Sequence, residues 1–422
     1  MALPRAFLAV LFFSIFSICG FAQSLPDVAS VKDLPSTSRP SPKYLRLKPL
    51  SIHSQPDFMH SATSSSTLAA NSQATGFSLA HVISVPNFQG SFISRGKTWQ
   101  FTMIGTAPWN GAATTIPTHI VAVSLRLQNA NLVSFTSVPV TAFETPTLNS
   151  PNFKAANYST GSGIQFADAV QRAEFFHKMK AGWHTVLHPA IVHSLTITVP
   201  RFTTTNVNGF TTKVQTYYTS KAADGRTVIF LLDQFFNQQI FDIVVNEINA
   251  GRFTTSALNV ALFPNTYLFS LNSSGGVGDC CVLGFHTYFT DTAPTESRWV
   301  FAFASWVSPG VFSGFEDVTA LSHEISEAIN DPFVNNLVPA WQYPNEPGTC
   351  QDNLETGDPV EVLPNPMFPV NVSGRTYHPQ TEALLQWFEQ KTTSTAINSA
   401  FSYPNTKALT KGATAFGPLS CP

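Results

Sequence analysis

Leu321-Ser-His-Glu-Ile-Ser-Glu-Ala-Ile-Asn-Asp-Pro332 is the stretch on which the reading of this chain turns. Residues four apart share a helical face, so His323 and Glu327 can reach one cation, and Glu324 stands beside them where a general base for an activated water is needed. Ser313-Gly-Phe-Glu316 has the form of a capping box and Pro332 forbids continuation, so these signals predict a helix over residues 316–331. Val318, Leu321, Ile325 and Ile329 then form one apolar stripe, with His323 and Glu327 on the opposite side together with Glu316. An amphipathic surface helix with a solvated acidic face explains a chance match of this kind better than a metal does.

A second acidic segment weighs against that plainer explanation. Cys350-Gln-Asp-Asn-Leu-Glu-Thr-Gly-Asp-Pro359 offers Glu355 and Asp358 around a glycine, a compact loop suited to supply a third, carboxylate ligand. Asp331 could close the site instead, or cap the helix end and orient a ligand from outside it. Glu355 ranks ahead of Asp358 and Asp331, although an ordinary Asx-rich turn accounts for the loop nearly as well. His286 is a candidate outer ligand or donor at the same cleft, as is His378. His184, His188 and His193 make a second metal site conceivable, but Pro189 interrupts their segment and no glutamate follows the first histidine, so they read as polar residues near strands.

Composition supplies the setting. Residues 6–19 form an apolar run behind Arg5 and lead into Gly20-Phe21-Ala22, the pattern of a secretory signal over residues 1–22 and too short for a comfortable membrane span. Without that segment, 22 Lys and Arg face 25 Asp and Glu, and 22 − 25 gives a formal charge of −3, which does not suggest a nucleic-acid partner. Charged residues are only 11% of the chain, against about 25% in an average globular protein, while Phe occurs 36 times. The pattern fits a β-rich protein located outside the cytoplasm, whether secreted or periplasmic. Residues 23–75, rich in Ser and Pro, read as a linker or pro-segment.

From Phe77 to Phe143, short runs such as Ile120-Val-Ala-Val-Ser-Leu-Arg-Leu127 separated by Asn, Pro and Gly predict antiparallel strands. Helical spacing follows at 164–180, then strands at 193–199, 211–219, 227–232 and 257–270, with a helix around 234–249. A β-rich region over 76–200 and a region over 201–422 containing the motif helix are expected to form one compact unit. An exported chain with Cys280, Cys281, Cys350 and Cys421 suggests two disulfides. The two connectivities joining the adjacent pair to Cys350 and Cys421 are favoured over a ring between neighbours, and they would draw both loops toward the helix.

Ser322-His-Glu-Ile-Ser-Glu-Ala-Ile-Asn-Asp-Pro332, Trp341 and Leu354-Glu-Thr-Gly-Asp358 resemble segments of the plant EXORDIUM-like, phosphate-induced secreted proteins and their bacterial relatives. The likeness extends to Cys281-Val-Leu-Gly-Phe-His286 and, more loosely, to the segment from Tyr377 to Phe388, and covers roughly residues 275–390. The chain departs from the plant pattern in lacking a cysteine directly after Asp358. The resemblance implies a zincin-like site but little about the reaction.

The resulting expectation is an α+β protein with a β-rich N-terminal half packed on a zincin-like C-terminal half. Its function would be metal-dependent hydrolysis of a peptide or protein substrate, with one Zn²⁺ held by His323, Glu327 and Glu355 and with Glu324 as the base. The alternative is a non-catalytic extracellular binding or cell-surface protein whose metal site is structural or vestigial.

Overall fold

The computed structural model describes residues 82–207, 209–291, 296–344 and 350–413. The expected signal (1–22), the linker (23–75) and Cys421 lie outside the described residues. Strands and helices both contribute, and the protein is α+β. Its helices, in chain order, are α1 (Thr141–Leu148), α2 (Phe166–Glu174), α3 (Asp233–Asn249), α4 (Thr319–Asn330), α5 (Asp358–Glu361) and α6 (Leu385–Phe388). Among the described residues no helix is long and apolar enough to cross a membrane.

The framework is a mixed central sheet. Strand Ala113–Gln128 runs parallel to His184–Val199 on one side. On its other side it pairs with parallel Leu258–Pro264 and, near its end, with antiparallel Phe135–Val138. Leu258–Pro264 continues to parallel Ser297–Phe312, and Gly284–Asp291 closes that edge in the antiparallel sense. The antiparallel strands expected between residues 77 and 143 therefore need correction. The hairpin Asn87–Ser94 with Lys97–Ile104 is antiparallel, but the strand carrying Ile120 to Val123 lies between two parallel neighbours. Parallel strands are covered on both faces and read as continuous apolar runs, and all four of those residues are buried. The helix α1 was not foreseen, since it contains Pro146. The sheet also takes strands from both sides of residue 200, so the two expected regions share one core.

Alternation along the strands assigns each residue to a face. Ile120, Ala122, Val260, Leu262, Ala302 and Ala304 point toward α4 and meet its Leu321, Ile325 and Ile329. Val121, Val123, Ala261, Phe263, Phe301 and Phe303 point the other way and pack on Phe236, Ile240 and Val244 of α3. Each fully buried side chain of this size contributes about 1.5–3 kcal/mol relative to exposure, so α4 is held on the sheet by its apolar stripe. A separate aromatic cluster joins Phe88 and Phe101 of the N-terminal hairpin to Trp341, Trp387 and Phe388. It ties residues 338–343 and 354–388 to that hairpin.

The predicted start of the motif helix is also corrected. Gly314 turns the chain between strands Ser297–Phe312 and Phe315–Asp317, so Ser313 and Glu316 do not form a capping box. The helix begins at Thr319, whose hydroxyl accepts the Glu316 N–H at 3.0 Å and lies 2.7 Å from the His378 carbonyl. All twelve residues of α4 are buried, which removes the solvated acidic face.

Candidate metal centre

Away from its apolar stripe, buried α4 presents His323 and Glu327, with Glu324 turned toward Gly284 of the edge strand. His286 reaches them from the edge strand Gly284–Asp291, Glu355 from the turn between strand Cys350–Asn353 and α5, and Asp358 from the first position of α5. His286, His323, Glu324, Glu327, Glu355 and Asp358 are all 0% exposed. His286 Nδ1 lies 3.3 Å from Glu327 Oε2 and 3.8 Å from both Glu324 Oε2 and Glu355 Oε2. His323 Nε2 lies 3.1 Å from Glu327 Oε2 and 3.5 Å from Asp358 Oδ1.

Surrounding groups aim these atoms inward. The His286 Nε2–H donates to the Asp331 carbonyl at 3.2 Å, which selects the tautomer that leaves Nδ1 free to act as a ligand. The Gly357 N–H donates to Glu327 Oε1 at 3.0 Å and leaves Oε2 facing both imidazoles. Gly357 has to be glycine, because a Cβ there would lie 2.3 Å from His323 Nδ1. A Cβ at Gly284 would in the same way lie 2.6 Å from Glu324 Oε1. Tyr343 and Gln351 each donate to Asp358 Oδ2 at 2.5 Å, which directs Oδ1 at His323. The Asp331 carboxylate accepts the Asn335 and Asn336 amides at 2.9 and 3.1 Å, so this residue closes the helix end and orients His286 through its backbone.

So many buried carboxylates are costly without a cation. Burial pushes the Glu324 carboxyl up to about 8 against the pull of His323 and His286, and raises Glu355 and Glu382 well above the usual range. Burial also penalises charge on Glu327, but His323 and His286 outweigh it and hold its carboxyl down at about 2. Burial opposes protonation of His286 and His323, and the neighbouring carboxylates overcome it and raise both. The metal-free arrangement thus depends on protons held by groups that would ordinarily have lost them. A divalent cation supplies that positive charge directly.

The donor atoms fit such an ion. His286 Nδ1, His323 Nε2, Glu327 Oε2 and both oxygens of Glu324 and Glu355 have no hydrogen-bond partner. Three groups of ligand atoms each lie within 4.8 Å of one another: His286 with Glu327 and Glu355, His323 with Glu324 and Glu327, and His323 with Asp358 and Glu361. Imidazole nitrogens mixed with carboxylate oxygens suit zinc and other first-row divalent ions. Sequence reasoning passed over Glu361 and the buried Glu382. Glu361 lies three residues after Asp358, one turn along the short helix α5, and that spacing was the available signal.

Other candidates lie elsewhere. His184 Nδ1 pairs with Asp168 at 2.7 Å and lines a cavity of about 280 Å³ with Gln165 and Val186, apart from the cluster. His193 pairs with Glu247 at 2.8 Å, and His378 with Asp317 at 2.9 Å. Contrary to the expected bridges, Cys350 is disulfide-bonded, but not to either of the adjacent cysteines. The Cys280 and Cys281 sulfurs face each other with Cα atoms 3.0 Å apart, closer than disulfide partners stand, and we do not count the pair as a cross-link. Hydrogen bonds also gather the segments around α4. The Gln380 side chain donates to the Gly357 carbonyl at 2.7 Å, and its backbone N–H donates to the Ser322 hydroxyl at 2.8 Å. Compared with protein-family models, curated proteins and solved structures, the chain matches none.

Proposed function

We propose that this protein is a metal-dependent hydrolase of peptide bonds that acts outside the cytoplasm. In this reading a Zn²⁺ ion is held by Glu327 and His323 of α4 with His286 and Glu355. The resemblance to the EXORDIUM-like secreted proteins belongs to the same proposal. The observation that carries it is the convergence of fully buried imidazole and carboxylate atoms that make no hydrogen bond, beside one further carboxylate of the same kind, Glu324. A structural ion is satisfied by its ligands alone, whereas hydrolysis needs a base next to them.

When bound, the ion supplies Lewis-acid activation of water and of the scissile carbonyl. Glu324 takes the proton of the attacking water and returns it to the leaving amine. Gly284 leaves room for the Glu324 side chain. Asp331 and Gly357 hold His286 and Glu327 in orientation through the two backbone hydrogen bonds described above.

A second reading is favoured by the complete burial of the ligands, which suits a structural ion in a binding protein. Metal content of the purified mature protein, measured by elemental mass spectrometry beside His323→Ala and Glu327→Ala, tests the shared premise. Bound zinc that is depleted in both variants supports the site. No metal in the wild type after incubation with zinc removes both readings.

A further inference from the structure

The ligand atoms do not form one group around one point. Of the three overlapping triads, two have no residue in common, His286 with Glu327 and Glu355, and His323 with Asp358 and Glu361, and the third, His323 with Glu324 and Glu327, links them. Each offers one imidazole nitrogen and two carboxylate oxygens within 4.8 Å. We propose that the cluster is a two-cation centre, with one divalent ion in each of the two triads that share no residue and Glu327 between them. The inference rests on the metal-site reading above and changes its stoichiometry.

Three observations carry it. Glu327 Oε2 stands 3.3 Å from His286 Nδ1 and 3.1 Å from His323 Nε2, so this one oxygen faces the imidazole of both triads. That is the place of a bridging carboxylate between ions about 3.5–4 Å apart. The second triad also has its own supporting contacts. Asp358 Oδ2 is occupied by the Tyr343 hydroxyl and the Gln351 amide, which leaves Oδ1 aimed at His323, much as outer hydrogen bonds orient metal-binding carboxylates. His323 itself is fully buried, and neither of its ring nitrogens has a hydrogen-bond partner. The third observation is charge. Fully ionised, the four carboxylates of the two triads would carry −4, which one dication halves and two dications cancel. Glu324 and Glu382 remain buried beside them.

Dinuclear binding assigns His323 to the second ion and leaves His286, Glu355 and the shared Glu327 on the first. A two-ion site would hold both the attacking water and the substrate oxygen, and would give Asp358 a ligand role where a one-ion site leaves it outside.

The test is native mass spectrometry of the metal-stripped mature protein titrated with Zn²⁺ alone, and with Mn²⁺ followed by electron paramagnetic resonance. The expected result for the wild type is two successive zinc additions and an exchange-coupled Mn²⁺ spectrum. Asp358→Asn and Glu355→Gln should each saturate at one ion and lose the coupling. Saturation of the wild type at one ion with an uncoupled spectrum overturns the two-cation inference and leaves the one-ion function standing. Binding of no ion overturns both. The wild-type titration decides the matter even if a variant fails to fold.

Discussion

Two helices cover opposite faces of the same sheet, and each carries a buried glutamate beside a histidine, yet the two places are built in opposite ways. On α3, Glu247 is 1% exposed and is bonded by the Arg252 guanidinium and by His193. Those partners outweigh the cost of burial and hold its carboxyl below the usual range. On the other face, the α4 glutamates with Glu355 have, among the described residues, two imidazoles as their cationic neighbours, and Glu324 and Glu355 are pushed up. The first site is closed by the chain's own cation. The second brings donors together and leaves the positive charge to be supplied. A structural ion pair and a metal site are therefore distinguished here by what the carboxylates lack.

The largest effect expected is on turnover. Glu324→Gln keeps the size of the side chain and removes its basicity, so peptide hydrolysis should fall by about 10²- to 10⁴-fold while metal content and fold are retained. Steady-state kinetics with elemental analysis checks this. An unchanged rate would make the α4 site resemble that of α3, a structural arrangement indifferent to its base.

Metal removal comes next. Chelation should destabilise the protein by about 4 kcal/mol relative to protein held at a free ion concentration a thousand times Kd, as read by denaturant unfolding. The two sites also predict opposite responses to pH in the metal-free protein. Glu324 in the folded chain is raised to about 8 from an ordinary 4.5, so the folded state binds the proton more tightly. Its contribution is complete below the ordinary value and is lost as pH rises toward 8. Glu355, Glu382, His286 and His323 are also raised and act in the same direction. Metal-free protein should therefore lose stability between about pH 5 and 8. Protein loaded with metal should not, because the ion replaces those protons. A flat metal-free profile over that range would mean that the cluster does not carry the unmet charge assigned to it.

The same contrast explains what could be read from the sequence. The α3 helix was legible because it buries one stripe, and residues 234–249 nearly coincide with Asp233–Asn249. For α4 the motif and the apolar stripe were legible, but not the burial of the acidic face. That depends on Glu355, Gly357 and Gln380, which lie in segments well beyond the helix in sequence and are brought back through hydrogen bonds without periodicity. The capping box misled because the turn at Gly314 belongs to a strand pair. The continuous apolar run at Ile120 to Val123 marked a strand covered on both faces, but a doubly covered antiparallel strand carries the same run, so its direction was not fixed. His286 could be named from the sequence, but its ligand geometry depends on the edge strand passing over α4 and on the Asp331 carbonyl that receives its Nε2–H.

A smaller effect tests how the donors are held. In Gly357→Ala the new methyl would lie 2.3 Å from His323 Nδ1, so the ring or the loop must move. Metal affinity should fall by about 10- to 100-fold, the usual cost of disturbing groups that orient ligands. Calorimetric titration with zinc checks it. Unchanged affinity would show that the close approach of loop and helix is not needed to aim His323.

The smallest effect lies on α3 and serves as the control for all the others. Arg252→Ala removes the group that bonds Glu247, leaving His193 as its remaining polar side-chain partner among the described contacts. A lowered carboxyl contributes stability above its ordinary range and loses that contribution as pH falls. The variant should therefore show a modest loss of thermal stability near neutral pH and less additional loss on acidification than the wild type, because part of the acid-sensitive contribution is already gone. Zinc content and the behaviour of Glu324→Gln should be unaffected, since the sheet separates Glu247 from the α4 cluster. Loss of zinc in this variant would show that the two faces are coupled through the sheet, and the contrast between a self-sufficient site and an ion-dependent one would have to give way to a single linked network.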